Sequence, residues 1–146
     1  MTTHEALKLQ AAIDNCIGAI VEAADEAIIG VKTRGKLGLI QRSQLKNLLA
    51  VSNTAPHPAV ITSFIRYQMG RNGEPRTAWK ETKLGDEVIN IVNTTLEEKA
   101  KAAIAEAGSG DIVDVQVRMA RLLLGFMDRR LVYESADEAP KKGGKR

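Results

Sequence analysis

The sequence predicts an all-α, single-domain bundle of about five helices over residues 1–135, followed by a disordered basic tail over 136–146. Three observations lead there. The chain is 44% hydrophobic but only 3% aromatic, and its apolar residues are mainly Ala, Ile, Leu and Val set among good helix formers. Those residues recur at spacings of three and four, the period of one helical face. A length of 146 residues suits one domain that buries about two thirds of its unfolded surface without disulfides or metals. No internal repeat or long heptad pattern interrupts this reading.

The first helix is expected from about His4 to Ile29, with Ile13, Ile17, Ile20, Ala24 and Ile28 on one face. Asp14, Glu22, Asp25 and Glu26 occupy the opposite face, and Gly30 supplies a residue that tolerates the left-handed cap. Residues 30–41 carry Gly30, Gly35 and Gly38 with Lys32, Arg34 and Lys36 between them and no apolar period, so they read as a mobile basic loop. A short second helix is expected from Ser43, as cap, to about Asn53. Leu45, Leu48 and Leu49 form its buried side, and Arg42 and Lys46, four apart, project together.

Pro56-His57-Pro58 breaks that helix, and Pro58 restarts the next because its missing amide hydrogen is not needed at a first turn. The third helix runs to Gly70 with Ile61, Ile65 and Met69 inward, and Asn72-Gly73-Glu74-Pro75 is a strong stop. A fourth helix, or two joined near Gly85, spans Thr77 to Ala107 with Trp79, Leu84, Val88, Ile91, Val92 and Leu96 as core positions. The fifth, Asp111 to Glu134, opens on Asp111 and Asp114, acids suited to a helix amino end. Its faces bearing Val113, Val117, Ala120, Leu124, Met127 and Leu131 and, alongside, Val115, Met119, Leu122, Phe126 and Tyr133 leave a narrow strip of Arg118, Arg121 and Arg129 with Gly125 among them. Pro140-Lys141-Lys142-Gly143-Gly144-Lys145-Arg146 is too polar to pack and reads as tail.

Charge is segregated along the chain. Residues 1–29 carry −4, 30–83 carry +8, 84–111 carry −4 and 112–146 carry +3. Two acidic segments therefore alternate with two basic ones, a pattern that fits a surface meeting phosphate on one side and basic protein on another.

Catalytic chemistry finds little support. Gly30-Val31-Lys32-Thr33-Arg34-Gly35-Lys36 follows part of a phosphate-binding loop, but Leu37 stands where Ser or Thr would hold magnesium and an acidic helix precedes it instead of a strand. His4 and His57 are isolated from one another and from any carboxylate partner, so no metal or acid-base pair is built. Cys16 is the single cysteine; on an apolar helix in an acidic segment its thiol pKa is expected to rise, which fits a small core residue. One cysteine makes no disulfide framework, no apolar run approaches the roughly 20 residues that span a bilayer, and residues 1–10 lack a signal-peptide pattern. The expectation is a cytoplasmic protein without cofactor, metal or enzymatic activity.

Binding is better supported. Arg42 with Lys46, Arg66 with Arg71, and the strip Arg118, Arg121 and Arg129 are cations on rigid helices, suited to phosphate contact without base-edge readout. Gly125 within the strip would let a phosphate or a partner helix approach the backbone. Tyr67 and Trp79 are able to stack on bases, but with so few aromatics in the chain they are expected in the core.

The segment from Gly38 to Arg71 resembles the small, all-helical subunit of type III-A (Csm) CRISPR effector complexes. The resemblance rests on Gly38-Leu39, Ser43, Leu45-Lys46-Asn47-Leu48-Leu49, Asn53, Tyr67 and Gly70-Arg71, with Gly85 to Val92 and Arg121 to Tyr133 following in similar order. It extends over most of residues 36–133, with its specific features at the centre; Ile40-Gln41-Arg42 replaces the family's usual Thr-Thr lead, and the basic tail is additional. The resemblance implies a non-catalytic subunit in antiviral defence, stacked in several copies along guide RNA and target RNA and touching neighbouring subunits. It implies RNA contacts for Lys46, Arg66 and Arg71. The alternative is a stand-alone helical DNA-binding regulator built on the helices around Thr54 to Pro58, a connector too long and proline-rich for a tight helix-turn-helix.

Overall fold

A computed structural model describes the backbone of residues 1–143 and the side chains of residues 1–136. The described backbone is helical with no strand, as composition and periodicity predict. Its helices are α1 (Thr3–Asp14), α2 (Ile17–Thr33), α3 (Arg42–Thr54), α4 (Pro58–Gly70), the one-turn α5 (Glu74–Arg76), α6 (Leu84–Asn90), α7 (Glu97–Ala107) and α8 (Ile112–Gly143). A π-helical stretch, Thr77–Glu81, continues α5, and another, Ile91–Leu96, joins α6 to α7. The continuous helical rods therefore number seven among the described residues, against about five expected. Of the expected tail over 136–146, the side chains of 137–146 and the backbone of 144–146 lie outside the described residues.

Helix α8 is the centre of the bundle. Val115, Met119, Ala120, Leu123, Leu124 and Met127 along it are fully buried, so it is covered on several faces. Helix α2 lies parallel to it: Asp25 faces Arg130 and Lys32 reaches Glu134. Helix α3 runs antiparallel on another side, where Arg42 meets Asp128 and Ser52 meets Arg121. The Ile91–Leu96 stretch closes a third side, and Gln116 donates its amide to the Val92 carbonyl at 2.7 Å. Helix α1 packs mainly on α7 and touches α8 through Gln10 and Arg118.

That division of partners accounts for the first departure from expectation. The apolar period from His4 to Ile29 forms two helices, broken at Asn15 and Cys16. Asn15 leaves the helix to donate to Glu106 at 3.1 Å, and the break lets α1 follow α7 while α2 follows α8. The amino end of α1 is closed by a capping box between Thr2 and Glu5.

Helix α2 also runs past Gly30, which is not its cap. Gly35 takes the left-handed conformation at φ 73°. Lys36 N–H donates to the Val31 carbonyl and Gly35 N–H to the Lys32 carbonyl, the paired bonds of a Schellman ending. The loop beyond is anchored, where mobility was expected. Leu37 and Ile40 are buried, Arg34 donates to the Thr82 carbonyl at 2.8 Å, and Lys36 donates to the Glu81 carbonyl at 3.1 Å. Two cations of that loop thus satisfy carbonyls left open where the Thr77–Glu81 turn ends.

Helix α3 begins one residue before Ser43, at Arg42, and its cap is Gln41, whose backbone N–H donates to Gln44 Oε1 at 3.1 Å. Helix α4 has the expected bounds, and His57 closes its amino end by accepting the Ala59 N–H on Nδ1 at 3.0 Å. Trp79, Leu84, Val88, Ile91, Val92 and Leu96 are all buried, as their period predicts. Asp111 caps α8 by accepting the Asp114 N–H at 3.0 Å.

The chain turns between the Thr77–Glu81 stretch and α6 through Lys83, a non-glycine residue at φ 67°. Buried Thr82 supports the turn: its hydroxyl donates to the Ala78 carbonyl and accepts the Leu84 N–H at 3.2 Å. Gly85 then lies so close to the preceding rod that a Cβ there would stand 2.7 Å from the Trp79 carbonyl and 2.6 Å from Met69 Sδ.

Two expectations test this packing. Gly85→Ala lowers stability by about 1–3 kcal/mol because a backbone carbonyl blocks the added methyl. Gly125→Ala, whose Cβ meets nothing within 4 Å, raises it by about 0.5–1 kcal/mol. Urea unfolding of both variants decides, and equal effects would contradict the packing described.

A further expectation concerns acid. Lys32 and Arg130 donate to the 6%-exposed Glu134 carboxylate, each at 2.7 Å. The Lys32 bond, and then that of Arg130, hold its carboxyl below the ordinary 4.5, against the opposing effect of burial. The resulting stabilisation is present above pH 4.5 and is lost as pH falls through the lower folded value. Glu134→Gln costs about 1–2 kcal/mol at neutral pH, and thermal melts should show a flatter acid limb than the parent protein gives.

Candidate nucleic-acid interface

The cations singled out from the sequence fall into different environments once the helices pack. Arg42 donates through Nε and Nη2 to the two carboxylate oxygens of Asp128 at 3.2 and 3.3 Å, a two-point pair that ties α3 to α8. Arg121 donates Nε to the backbone carbonyl of buried Ser52 at 2.7 Å. Arg118 bonds Gln10 on α1 and lies 3.7 Å from Asp114. These three arginines act as struts between helices. Arg129 is exposed and lies over Phe126, 5.3 Å from the ring centroid. The strip Arg118, Arg121 and Arg129 is therefore divided between internal contacts and surface. Apart from its chain neighbours and its own helix backbone, nothing among the described residues lies within 4 Å of where a Cβ on Gly125 would stand, so no other described helix uses the approach that the glycine offers.

Lys46, Arg66 and Arg71 are all exposed. Lys46 and Arg66 make no hydrogen bond or ion pair among the described residues. Arg71 donates to Gln68 Oε1 at 3.3 Å, and its guanidinium lies 5.4 Å from the centroid of the Tyr67 ring. Gln41 and Gln44, at the start of α3, both hold Glu74, one by its carboxylate and one by its carbonyl. The amino end of α3 and the carboxyl end of α4 therefore meet at one end of the bundle, the end that carries these three cations.

A cleft of about 360 Å³ opens there, lined by Arg66, Met69, Gly70, Arg76 and Lys80. Arg76 and Lys80 make no ion pair or hydrogen bond among the described residues. The two acids of the same segment are occupied elsewhere, Glu74 by Gln41 and Glu81 by the Thr77 hydroxyl at 3.2 Å. Three cations thus surround one cleft without an ion-pair partner, and the exposed Gly70 leaves backbone open at its edge.

Tyr67 is 60% exposed, contrary to the expectation that it would anchor the core, whereas Trp79 is 1% exposed and does so. The difference follows from α4 geometry. Ile61, Ile65, Gln68 and Met69 take the inner face, so Tyr67 shares the outer face with Ser63, Arg66 and Gly70. The result is an outward aromatic ring beside Arg66 and capped by Arg71.

Arg76 and Lys80 were not among the residues singled out from sequence. Arg76 falls inside the stop signal Asn72–Pro75 and its flank, where no helix was expected before Thr77. The signal was nonetheless present: Pro75 opens α5, and positions 76 and 80 are four apart on the rod that follows.

Two of the remaining reactive side chains have structural positions, whereas His4 is exposed. His57 caps α4. The Cys16 thiol lies against the Ala12 and Lys99 carbonyls at 3.6 and 3.9 Å, and burial raises its pKa, as expected from its apolar setting. No protein-family model, curated protein or solved structure matches this chain, which leaves its own surface as the ground for function.

The struts and the open cations should respond differently to truncation. Arg121→Ala leaves the buried Ser52 carbonyl without its donor and costs about 1–3 kcal/mol. Arg66→Ala and Lys80→Ala stay within about 0.5 kcal/mol of the parent protein. Chemical denaturation of the three variants checks the division; a marked loss at Arg66 or Lys80 would show that those side chains serve folding.

Proposed function

We propose that this chain is a non-catalytic RNA-binding subunit of a type III CRISPR RNA-guided interference complex, acting in antiviral defence through contacts to guide and target RNA and to neighbouring subunits, including further copies of itself. The observation that carries the RNA-binding part is the cleft at the end of α4, where Arg66, Arg76 and Lys80 converge beside the exposed, Arg71-capped Tyr67. Such cations suit phosphate oxygens of a backbone and carry no sequence readout of their own. An outward tyrosine adds a face on which an unpaired base stacks. Sequence specificity would then come from guide pairing, and the protein would read charge and shape. The assignment to a type III complex rests on the resemblance of Gly38–Arg71, and the cleft lies at the end of that segment.

In this reading Arg66, Arg71, Arg76 and Lys80 are the principal RNA contacts and Lys46 extends the surface along α3. Arg42, Arg118 and Arg121 serve the bundle through their internal bonds, and Arg129 lies on the α8 side. As residents of an assembly, these contacts need only be weak one copy at a time.

Fluorescence anisotropy with labelled single-stranded RNA tests the surface. Four phosphate contacts imply about a 50-fold loss of affinity between about 50 and 200 mM salt. Arg66→Glu with Lys80→Glu should weaken binding and roughly halve the salt slope, while Lys8→Glu on α1 should change little. Equal affinities for these variants would remove the α4 surface from the proposal. Tighter, sequence-specific binding to duplex DNA would instead favour a stand-alone regulator. Failure to enter a complex reconstituted with type III subunits and guide RNA would sink the assembly assignment.

A further inference from the structure

A second cleft, of about 340 Å³, opens between α1, α3 and α8. It adjoins the carboxyl end of α3, whereas the Arg66 cleft belongs to the end where α3 begins. Its apolar lining is aliphatic: Ile13 from α1, Leu49 from α3 and Leu122 from α8. Its polar lining includes Asn53, Arg118 and Arg121.

The state of those polar groups is informative. Arg121 is fixed by its Nε bond to the Ser52 carbonyl, and its two Nη groups make no hydrogen bond among the described residues. The Asn53 side chain is exposed and likewise makes none. Arg118 is held by Gln10 and Asp114 and adds positive charge close by. The cleft therefore offers an apolar surface, a free amide with both donor and acceptor, and a positioned guanidinium with donors to spare.

We propose that this cleft accepts one nucleotide unit, its base laid on the aliphatic surface, its edge bonded to the Asn53 amide and its phosphate bound by Arg121. The volume falls in the range of small-ligand sites, about 300–1,000 Å³. A simple inorganic anion makes no use of the aliphatic lining. A hydrocarbon makes no use of the guanidinium or the amide. An aliphatic carboxylate uses Arg121 and the apolar lining but not the Asn53 amide. A nucleotide engages all three, and the planar guanidinium matches phosphate in two-point fashion. Free nucleoside monophosphates and single-stranded RNA share this chemistry. The site does not depend on the α4 surface, because among the described residues no side chain lines both clefts.

Nuclear magnetic resonance of the isotopically labelled full chain tests the proposal, with AMP in one titration, a short single-stranded RNA in another, and inorganic phosphate and decanoate as separate probes. Saturable shifts are expected at the Asn53 side-chain amide, the Arg121 Nε–H and the methyl groups of Ile13, Leu49 and Leu122. Response to both AMP and RNA, or to AMP alone, supports a mononucleotide site; response to RNA alone supports a strand site. Asn53→Asp, at an exposed position, should weaken binding roughly fivefold or more, because a carboxylate has no donor for the base edge and adds negative charge to a site that takes an anion. Arg121→Lys should weaken it as well, because an ammonium lacks the planar fork. Absence of saturable shifts with both AMP and RNA overturns the proposal, as does an equal response to phosphate or decanoate, or binding unaffected by either substitution. RNA shifts confined to Arg66 and Lys80 would overturn this site while leaving the α4 surface intact.

Discussion

The bundle depends on burying α8 on several faces at once. A central helix gains apolar contact on each of them, but any polar side chain it carries must then find a partner inside the protein or reach its edge. Gln116 takes the Val92 carbonyl, Arg121 takes the Ser52 carbonyl, Asp128 receives Arg42, and Glu134 receives Lys32 and Arg130. Each of these bonds joins α8 to another helix or to its own next turn. They fix how α2, α3 and the Ile91–Leu96 stretch are set against it.

That requirement also decides where positive charge remains open. Arg118 and Arg121 are drawn into contacts with α1 and α3, and Arg42 into a pair with α8. Helix α4 has no such duty on its outer face, because its inner face alone supplies Ile61, Ile65 and Met69 to the core. Arg66 and Tyr67 therefore stay outside. The close approach of Gly85 to Trp79 and Met69 sets α6 directly against the rod that carries Arg76 and Lys80, and Met69 belongs both to that contact and to the cleft. One glycine thus links the packing of the core to the geometry of the candidate surface.

The basic loop after α2 illustrates the same principle in a segment that looks functional when read alone. Its glycines and cations resemble a phosphate loop, but Gly35 ends a helix, and Arg34 and Lys36 satisfy the carbonyls of Thr82 and Glu81. Cations near the carboxyl end of a helical segment meet the negative end of its dipole, so the loop's charge has a use within the fold.

Composition and periodicity determined the helical class, the prolines before α4 and the stop signal after it gave its bounds, and the 3.6-residue repeat gave the core positions from Trp79 to Leu96, because each is a local property written into consecutive residues. The α4 segment also singled out Arg66 and Arg71 as cations, and both are exposed at the end of the bundle where the RNA contacts are proposed. What sequence left open was decided by partners distant along the chain. The break at Asn15 exists because α1 and α2 follow different helices, and Tyr67 is outside because its neighbours on α4 fill the inner face. Arg42 and Arg121 are internal struts because Asp128 and the Ser52 carbonyl come to meet them. Whether a cation is open or paired is a property of the assembled bundle, since the acid or carbonyl that claims it lies tens of residues away and only packing brings it within hydrogen-bond distance.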